Sequence, residues 1–502
     1  MTRESHGRRI KDQKTQLIPS ATHGVGADNK DRSGNVSVRD RWLDSLRFSA
    51  IPFIGWTLGL ILFWPGMMTI DSVWQWHQLD DVGLDNWHPF FYAVVLGLLR
   101  RVADTPALPL LLTMVVGSLL IGRFAAWTTW QGRSSAAAWS SLLLILLVPA
   151  TALIPIVLWK DVVYGLGLFG LTLIIWRIEE TEGSWLGRWS NVGALVVSLL
   201  TLWLCRHNGW PVVIVILTAL FVFHRQRWRR LVLTAATVIG LATLVTGPFA
   251  AQLDVAPSQL TGVILAHRVA MHIARGTPLT GEEREYLESI KSLDSEWPYS
   301  CSSIVPTYTP PNGLDPSLLE SEVPRLRSLV LDLTMRHPRA ELRHIICSSR
   351  LLWSPVDPES STFFLGLSRV GGEINYIDDF GADTPVEASP VPRLVSVAYD
   401  VVRSLPEWLI RPALYMYLLV GALVFAAVRR RTYRVYLIGL PVMLNTLLLI
   451  PFTISQDVRF QFGLILTAVA WVPALFTVAR SRGDSARLLE WPVRQEVRHG
   501  PS

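Results

Sequence analysis

The sequence predicts an all-α polytopic membrane protein: a bundle of about ten transmembrane helices, with a juxtamembrane first outer loop and a mainly helical extracytoplasmic segment. Two observations support this class. Of the 502 residues, 50% are hydrophobic and only 17% are charged, unlike an average soluble domain. The apolar residues are also gathered into runs that are separated by arginine-containing segments. Cytoplasmic loops therefore account for the net charge of +6, and we expect no nucleic-acid partner.

The predicted spans are ten apolar runs, several of them shorter than the ~20 residues that a straight transmembrane helix needs. They lie at about 48–64, 107–128, 135–153, 162–177, 191–205, 210–223, 231–248, 408–428, 435–452 and 462–479. Arginines recur between alternate runs, at Arg123 and Arg133, Arg177 and Arg188, 224–230, 429–434 and after Arg480. Because positive charge marks cytoplasmic loops, both termini are predicted to be cytoplasmic in a multi-pass plasma-membrane protein.

These runs divide the chain into regions. Residues 1–47 are polar and basic without an apolar period, so they are predicted to be a disordered cytoplasmic tail. The other predicted regions are an N-terminal transmembrane module at 48–248 with a first outer loop at 65–106, an extracytoplasmic domain or lid at 249–406, C-terminal transmembrane helices at 407–480, and a cytoplasmic tail at 481–502.

Local patterns refine the two outer regions. Residues 89–101 are apolar but too short to cross comfortably, and we predict a juxtamembrane or re-entrant helix there. In the long outer segment, helices are expected over 281–293, 317–338 and 341–353, between proline-rich loops.

The chain has three cysteines. Cys205 lies near the end of a predicted span, whereas Cys301 and Cys347 both lie in the outer segment. An oxidising compartment permits a disulfide between these two, and two unpaired thiols are the alternative. No cysteine or histidine spacing typical of a structural metal site occurs.

The first outer loop carries the candidate catalytic residue, Asp71. This carboxylate follows a span directly, in a stretch that also contains Trp74, Gln75 and His88. Asp71 is either a catalytic group that faces a lipid-linked substrate or the N-cap of an amphipathic helix that has Trp74 and Gln75 on one face. His88 precedes a proline, and a plain turn histidine is its default interpretation.

Three further outer loops contribute polar groups to the same predicted side. They supply Lys160 and Asp161, then Arg206, His207 and Asn208, then Asp457 and Arg459. Ionisable residues near membrane depth usually face a cavity or pair with one another, so we expect a single polar cavity. The Lys160–Asp161 and Asp457–Arg459 pairs are alternatively local ion pairs or interface anchors. The segment from Arg206 to Asn208 offers donors without an acidic neighbour, which suits a phosphate.

The order of these motifs resembles the membrane glycosyltransferases of the GT-C superfamily. The motifs are PG…DSVWQW…HP, then WKD, RHNG and QDVRFQF, and together they cover most of the chain. The order of the acid, the amphipathic helix and His-Pro is similar to that of protein O-mannosyltransferases and the lipid A aminoarabinose transferases. The chain departs from the mannosyltransferase pattern where Asp-Ser replaces Asp-Glu and His-Pro-Phe replaces His-Pro-Pro.

The resemblance implies transfer of a sugar from a polyprenyl-phosphate carrier to a glycan or protein acceptor of the cell envelope, on the outer face of the membrane. Asp71 would be the general base or a metal ligand, and it is left open whether a divalent cation, Mg²⁺ or Mn²⁺, takes part. Trp74, Gln75, His88 and the groups of the three later loops would bind substrate, and membrane lipids would surround the spans. A transporter or flippase of lipid-linked glycans, or a surface polysaccharide polymerase or ligase, is the alternative.

Overall fold

The computed structural model describes residues 38–130, 135–357, 362–364, 367–368 and 391–477. These residues are helical or irregular, apart from one antiparallel hairpin in which Phe363 lies opposite Ser368. The tail predicted at 481–502, most of the tail predicted at 1–47, and Arg133 lie outside the described residues. The last part of the predicted N-terminal tail is helical, because the first helix begins at Val38.

The chain divides into two compact units, the first ending at Leu43 and the second beginning at Asp44. All the sites described below lie in the second unit. Numbered in chain order, its described helices before the hairpin are α1 (Val38–Leu62, which begins in the first unit), α2 (Ile70–His77), α3 (Phe90–Arg100), α4 (Ala107–Trp130), α5 (Ser135–Leu147), α6 (Pro149–Leu153), α7 (Lys160–Glu180), α8 (Trp189–Cys205), α9 (Gly209–Phe223), α10 (Trp228–Leu244), α11 (Ala250–Gln252), α12 (Leu260–Ala274), α13 (Gly281–Ile290), α14 (Pro316–Ser321), α15 (Val323–Arg336), α16 (Pro338–Ser348) and α17 (Arg350–Trp353). After the hairpin follow α18 (Pro392–Ser404), α19 (Glu407–Ile410), α20 (Pro412–Arg430), α21 (Tyr436–Leu449) and α22 (Phe462–Thr477).

The described chain is an α-helical membrane protein. Seven helical stretches are long and apolar enough to span a membrane, and an eighth is added if the bent pair α5–α6 is one span. The pair bends by 75°. Each of the ten apolar runs falls on helix, but α8 and α9 are shorter than a usual span. The count of ten spans therefore stays a prediction. The short apolar helix predicted at 89–101 is present as α3.

The segment at 249–406, predicted to lie outside and called the outer segment below, is mainly helical over its described residues, as predicted. Helices α13 to α17 occupy the three stretches for which helices were expected. The segment has its own small core, in which Leu287, Leu319 and Leu333 are fully buried. Cys301 and Cys347 are joined by a disulfide with 5.8 Å between their Cα atoms, whereas Cys205 is a buried free thiol. The structure thus selects the disulfide from the two alternatives.

Two helices form the centre of the bundle. In the spans Lys160–Glu180 and Val458–Thr477, 78% of the most apolar window is buried inside the protein. Their aromatic residues meet, since the rings of Trp176 and Trp471 are 4.0 Å apart, and the Trp471 indole donates a hydrogen bond to Thr172 at 3.1 Å. Both helices carry charged residues at their N-terminal ends only a few positions from this apolar interior.

A pair of glycines lets these central helices approach closely. A Cβ atom added at Gly165 would lie 2.9 Å from the backbone nitrogen of Gly463, and one added at Gly463 would lie 3.0 Å from the Cα atom of Gly165. Small residues permit such contact between membrane helices. Because Gly165 follows Lys160 and Gly463 follows Arg459 by about one turn, this contact also brings the charged helix ends together.

We predict that Gly165→Val destabilises the protein, because the added methyl groups must push the two central helices apart. Overpacking of this kind costs roughly 1–3 kcal/mol, so the midpoint of thermal unfolding in detergent should fall by several degrees. Gly421→Val is the matched control, since a Cβ atom at Gly421 meets nothing within 4 Å. Equal midpoints for the two variants would contradict the close glycine contact.

Candidate functional site

The first outer loop is fixed against the segment that leads into α7. The backbone nitrogen of Met67 donates to the carbonyl of Ile156 at 3.0 Å, and that of Leu158 donates to the carbonyl of Met67 at 2.9 Å. The Trp159 indole donates to the hydroxyl of Thr69 at 2.9 Å. These bonds hold the beginning of α2 beside the beginning of α7.

Thr69, and not Asp71, is the N-cap of α2. The backbone N–H of Thr69 donates to the Ser72 hydroxyl at 3.3 Å, which closes the helix end without any contribution from Asp71. The interpretation of Asp71 as a helix cap is therefore wrong. Its side chain lies in the first turn of α2 and is available for contacts with other segments.

Asp71 forms an ion pair with Arg459 and also contacts the imidazole of His88. Its Oδ2 atom lies 2.5 Å from Nη2 of Arg459, and its Oδ1 atom lies 3.5 Å from Nε2 of His88. Burial raises the pKa of Asp71, but the Arg459 charge and the His88 contact outweigh burial and hold the pKa well below its usual range. Asp71 is therefore a carboxylate at neutral pH, and 27% of its side chain stays exposed.

Arg459 is shared between two carboxylates. In addition to its contact with Asp71, its Nε atom lies 3.0 Å from Oδ2 of Asp457, and its backbone N–H donates to Oδ1 of Asp457 at 3.0 Å. The guanidinium stands over the ring of Trp159 at 5.0 Å. Burial raises the pKa of Asp457 to about 6, in spite of Arg459, which lowers it. Asp457 is thus the carboxylate here that titrates closest to neutral pH.

A second ion cluster lies at the first turn of α7. The two oxygens of Asp161 face Nζ of Lys160 at 3.5 Å and Nη1 of Arg206 at 3.3 Å. Arg206 also donates to the carbonyl of Phe460 at 3.3 Å and stands over the Phe460 ring at 4.7 Å. The prediction that the segment from Arg206 lacks an acidic partner is wrong, because the partner belongs to another helix 45 positions earlier.

The remaining predicted residues lie around these ion pairs. His207 shares a hydrogen bond with the Trp87 carbonyl at 3.3 Å, and burial lowers the pKa of His207 and of His88. The Trp74 indole instead donates to Asp85 at 2.8 Å. Gln75 and Asn208 each bury an amide nitrogen that has no hydrogen-bond partner in the described part of the chain.

The structure therefore brings most of the predicted residues into one place. We define the ionic cluster as the set Asp71, His88, Lys160, Asp161, Arg206, Asp457 and Arg459. The members come from α2, the loop before α3, the beginning of α7, the junction of α8 with α9, and the turn just before α22. The expected single polar cavity stays a prediction, because the described members of the cluster pair with one another. Trp74 and Gln75 make no ion pair or hydrogen bond to the cluster in the described residues.

The outer segment contributes residues that the sequence did not indicate. Ile304 donates its backbone N–H to Ile454 at 2.7 Å, and Gln456 donates its backbone N–H to Ser302 at 2.8 Å. This pairing carries Tyr308 to the site, where its ring packs edge to face on Trp87 at 5.2 Å. Burial, together with the charge of Asp71, raises the pKa of Tyr308 to about 12. A tyrosine in a proline-rich loop carries no local signal of such a position.

An apolar groove opens beside the cluster. Its walls come from the start of α3, the α8–α9 junction and the segment that follows α10, and its polar lining residues are Asn86, His207 and Thr246. The apolar lining residues are Pro89, Phe90, Phe91, Trp203, Leu204 and Trp210. The groove adjoins the ionic cluster, because its lining residues Pro89 and His207 directly follow the cluster members His88 and Arg206 in the chain.

The donor set does not fit a divalent cation in its present arrangement. Among the described residues, no three His, Cys, Asp or Glu side chains converge as metal ligands. The carboxylates of Asp71, Asp161 and Asp457 each face a cationic side chain instead. A cation would have to displace an arginine or lysine before it could reach two carboxylates.

Comparison with known proteins gives no match to this chain, whether by protein-family model, by curated sequence or by solved structure.

We predict that Asp161→Asn destabilises the protein strongly, because it leaves Lys160 and Arg206 buried without a carboxylate. Removing one partner of a buried ion pair typically costs roughly 3–5 kcal/mol, against about 0–1 kcal/mol for an exposed pair. Asp104→Asn is the control, since Asp104 is 69% exposed and Arg100 is its one ion-pair partner among the described residues. The measurement is the thermal midpoint in detergent, and a change no larger than that of the control would count against the buried pairing.

Proposed function

We propose that this protein is a GT-C-like glycosyltransferase that moves a sugar from a polyprenyl-phosphate carrier to an acceptor hydroxyl of the cell envelope. One observation carries the proposal: Asp71 is a partly exposed carboxylate, kept ionised, within a cluster that also contains Arg459, Lys160 and Arg206. A base beside several cations, next to an apolar groove, suits a reaction in which a hydroxyl attacks and a lipid phosphate leaves.

The proposed base is Asp71. The acceptor oxygen attacks the anomeric carbon, the bond from that carbon to the phosphate oxygen breaks, and the acceptor proton passes to a carboxylate oxygen of Asp71. Oδ2 is engaged by Arg459 at 2.5 Å, whereas Oδ1 faces His88 at the longer distance of 3.5 Å. Oδ1 is therefore the oxygen better able to accept the proton. Lowering of the pKa of His88 by burial favours a neutral ring beside it.

The proposed leaving-group site is the cationic part of the cluster. Arg459, Arg206 and Lys160 could neutralise the departing phosphate, and α7 and α9 begin beside them. The N-terminal end of a helix carries a partial positive charge that favours anions. The adjoining groove with Phe90, Phe91 and Trp210 suits an isoprenoid chain. Trp87 and Tyr308 offer aromatic faces for the sugar.

The proposed sidedness follows from the charged loops. The arginine-rich segments at 224–230 and 429–434 belong to the ends of the spans away from the cluster, which suits the cytoplasmic side. The cluster would then face the outside of the plasma membrane, and both termini would be cytoplasmic. The disulfide between Cys301 and Cys347 suits an oxidising outer compartment.

We predict that Asp71→Asn abolishes sugar transfer while the protein reaches the membrane in normal amounts. The substitution keeps the shape of the side chain but removes the charge that accepts a proton. Loss of a general base typically lowers the rate by about 10²–10⁴-fold. The assay is transfer from a synthetic polyprenyl-phosphate sugar, with Asp104→Asn as an outer-loop control that should keep normal activity. Normal transfer by Asp71→Asn would refute the proposed base.

We also predict that the KM for the lipid-linked donor rises as the pH increases through about 6. Below this pH Asp457 is protonated, because burial raises its pKa to about 6, and the cluster carries one more unit of net positive charge than above it. A donor phosphodiester keeps its charge over this range, so it should bind several-fold more tightly at the lower pH. Asp457→Asn keeps the acceptor oxygen for Arg459 and should lack this step. An unchanged pH profile in Asp457→Asn would exclude Asp457 as its source.

A further inference from the structure

Only part of the apolar face of helix α18 packs against the rest of the protein. Its residues Ala398 and Val402 pack against the main core. Leu394, Val397 and Val401 are apolar as well, yet they are 58%, 58% and 52% exposed. At about 100° per residue, Val397 and Val401 lie within ~60° of Leu394 on one side, and Ala398 and Val402 lie within ~80° on the other. The five residues therefore form one continuous apolar face, half of it uncovered.

The opposite side of α18 is polar. Ser396 and Asp400 are exposed and lie about 120–160° away from Leu394 on the same helical projection. A helix with one apolar half and one polar half, of which only part of the apolar half contacts protein, is typical of helices that lie in a membrane interface. The helix is followed by the short helix α19 and then by the span that begins at Pro412.

Helices α15 to α17 expose a second apolar surface. Met335 is 73% exposed, and Leu331, Leu342 and Ile346 are exposed as well. Within each helix the exposed residues are spaced by four positions, so they share a face. Such exposure is unusual for the water-facing surface of a folded segment.

The position of Trp353 connects this surface with the membrane-spanning part. The Tyr417 hydroxyl donates a hydrogen bond to the carbonyl of Trp353 at the end of α17. Tyr417 is an exposed residue near the outer end of the span Pro412–Arg430. Trp353 and Tyr417 are both amphipathic aromatics of the kind that collects at the level of lipid headgroups. The exposed face of the outer segment thus continues the lipid-facing surface of a span.

The charges beside this surface agree with a lipid partner. Arg339 and Arg343 are exposed on α16, on the side of Leu342 and Ile346, and neither has an acidic partner in the described part of the chain. Arginines with apolar neighbours can bury their stems and reach lipid phosphates with their guanidinium groups.

We propose that the outer segment is partly immersed in the outer leaflet, through the apolar face of α18 and the exposed residues of α15 to α17. The occupant of these faces is the lipid bilayer itself. The proposal does not depend on the enzymatic activity. It implies that the segment that carries Tyr308 to the ionic cluster is held at headgroup level on the membrane, and is not a domain that projects into water.

The test uses the full-length protein in phosphatidylcholine–phosphatidylglycerol vesicles. Single cysteines at Val397→Cys, Val401→Cys and Ile346→Cys are labelled with the environment-sensitive fluorophore NBD. The native cysteines are disulfide-bonded or buried, and labelled wild-type protein gives the background. Ser396→Cys and Asp400→Cys are matched controls on the polar side of α18. Lipids that carry a nitroxide in the acyl chain near the headgroup serve as quenchers.

We expect blue-shifted emission and several-fold stronger quenching by the nitroxide lipids at positions 397, 401 and 346 than at positions 396 and 400. Water-like emission without lipid quenching at the first three positions would overturn the proposal. Blue-shifted emission without lipid quenching would overturn it too, because it would mean that another part of the protein covers these faces. Activity of the labelled variants plays no part in the readout, so the outcome is separate from that of the transfer assays.

Discussion

The main physical constraint on this protein is that charges close to a membrane interior have to be neutralised by one another. An isolated ion loses several kcal/mol of hydration when it is buried, and recovers this only against a well-placed opposite charge. Lys160, Arg206 and Arg459 are balanced by Asp161, Asp71 and Asp457. The pairs Lys160–Asp161 and Asp457–Arg459 are local. The pairs Asp161–Arg206 and Asp71–Arg459 join segments that are remote in sequence. Pairing of charges therefore determines which helix ends and loops must meet.

Backbone contacts make this pairing geometrically precise. The glycines at 165 and 463 allow the two central helices to touch, so the charged first turn of α7 lies beside the charged turn that precedes α22. The strand-like bonds of Met67 with Ile156 and Leu158 then bring Asp71 to the same point. Backbone hydrogen bonds between residues 302–304 and 454–456 attach the outer segment to the loop that carries Asp457 and Arg459. A site that is built on rigid helix ends keeps its geometry better than one built on loops alone.

The same pairing has a consequence for any anionic substrate. Each cation in the cluster already faces a carboxylate. A phosphate that binds a cation must replace that carboxylate, so its net binding energy is only the difference between the cation–phosphate and the cation–carboxylate attraction. This competition lowers the affinity for a phosphate. The same ion pairs stabilise the cluster when no substrate is bound, and the Arg459 charge keeps Asp71 ionised. Protonation of Asp457, with its pKa of about 6, is one way to free part of Arg459 for an incoming anion.

The sequence by itself indicated the membrane class, the helices of the outer segment and every residue of the ionic cluster. Long apolar runs and charges that interrupt them are local features, and a membrane leaves few options for either. Only the tertiary structure decided that Thr69 caps α2, that Arg206 has an acidic partner, and that Tyr308 reaches the site. Asp71 and Arg459 are 388 positions apart, so no local pattern could pair them. Such contacts depend on how the helices pack, and packing arises from the whole chain.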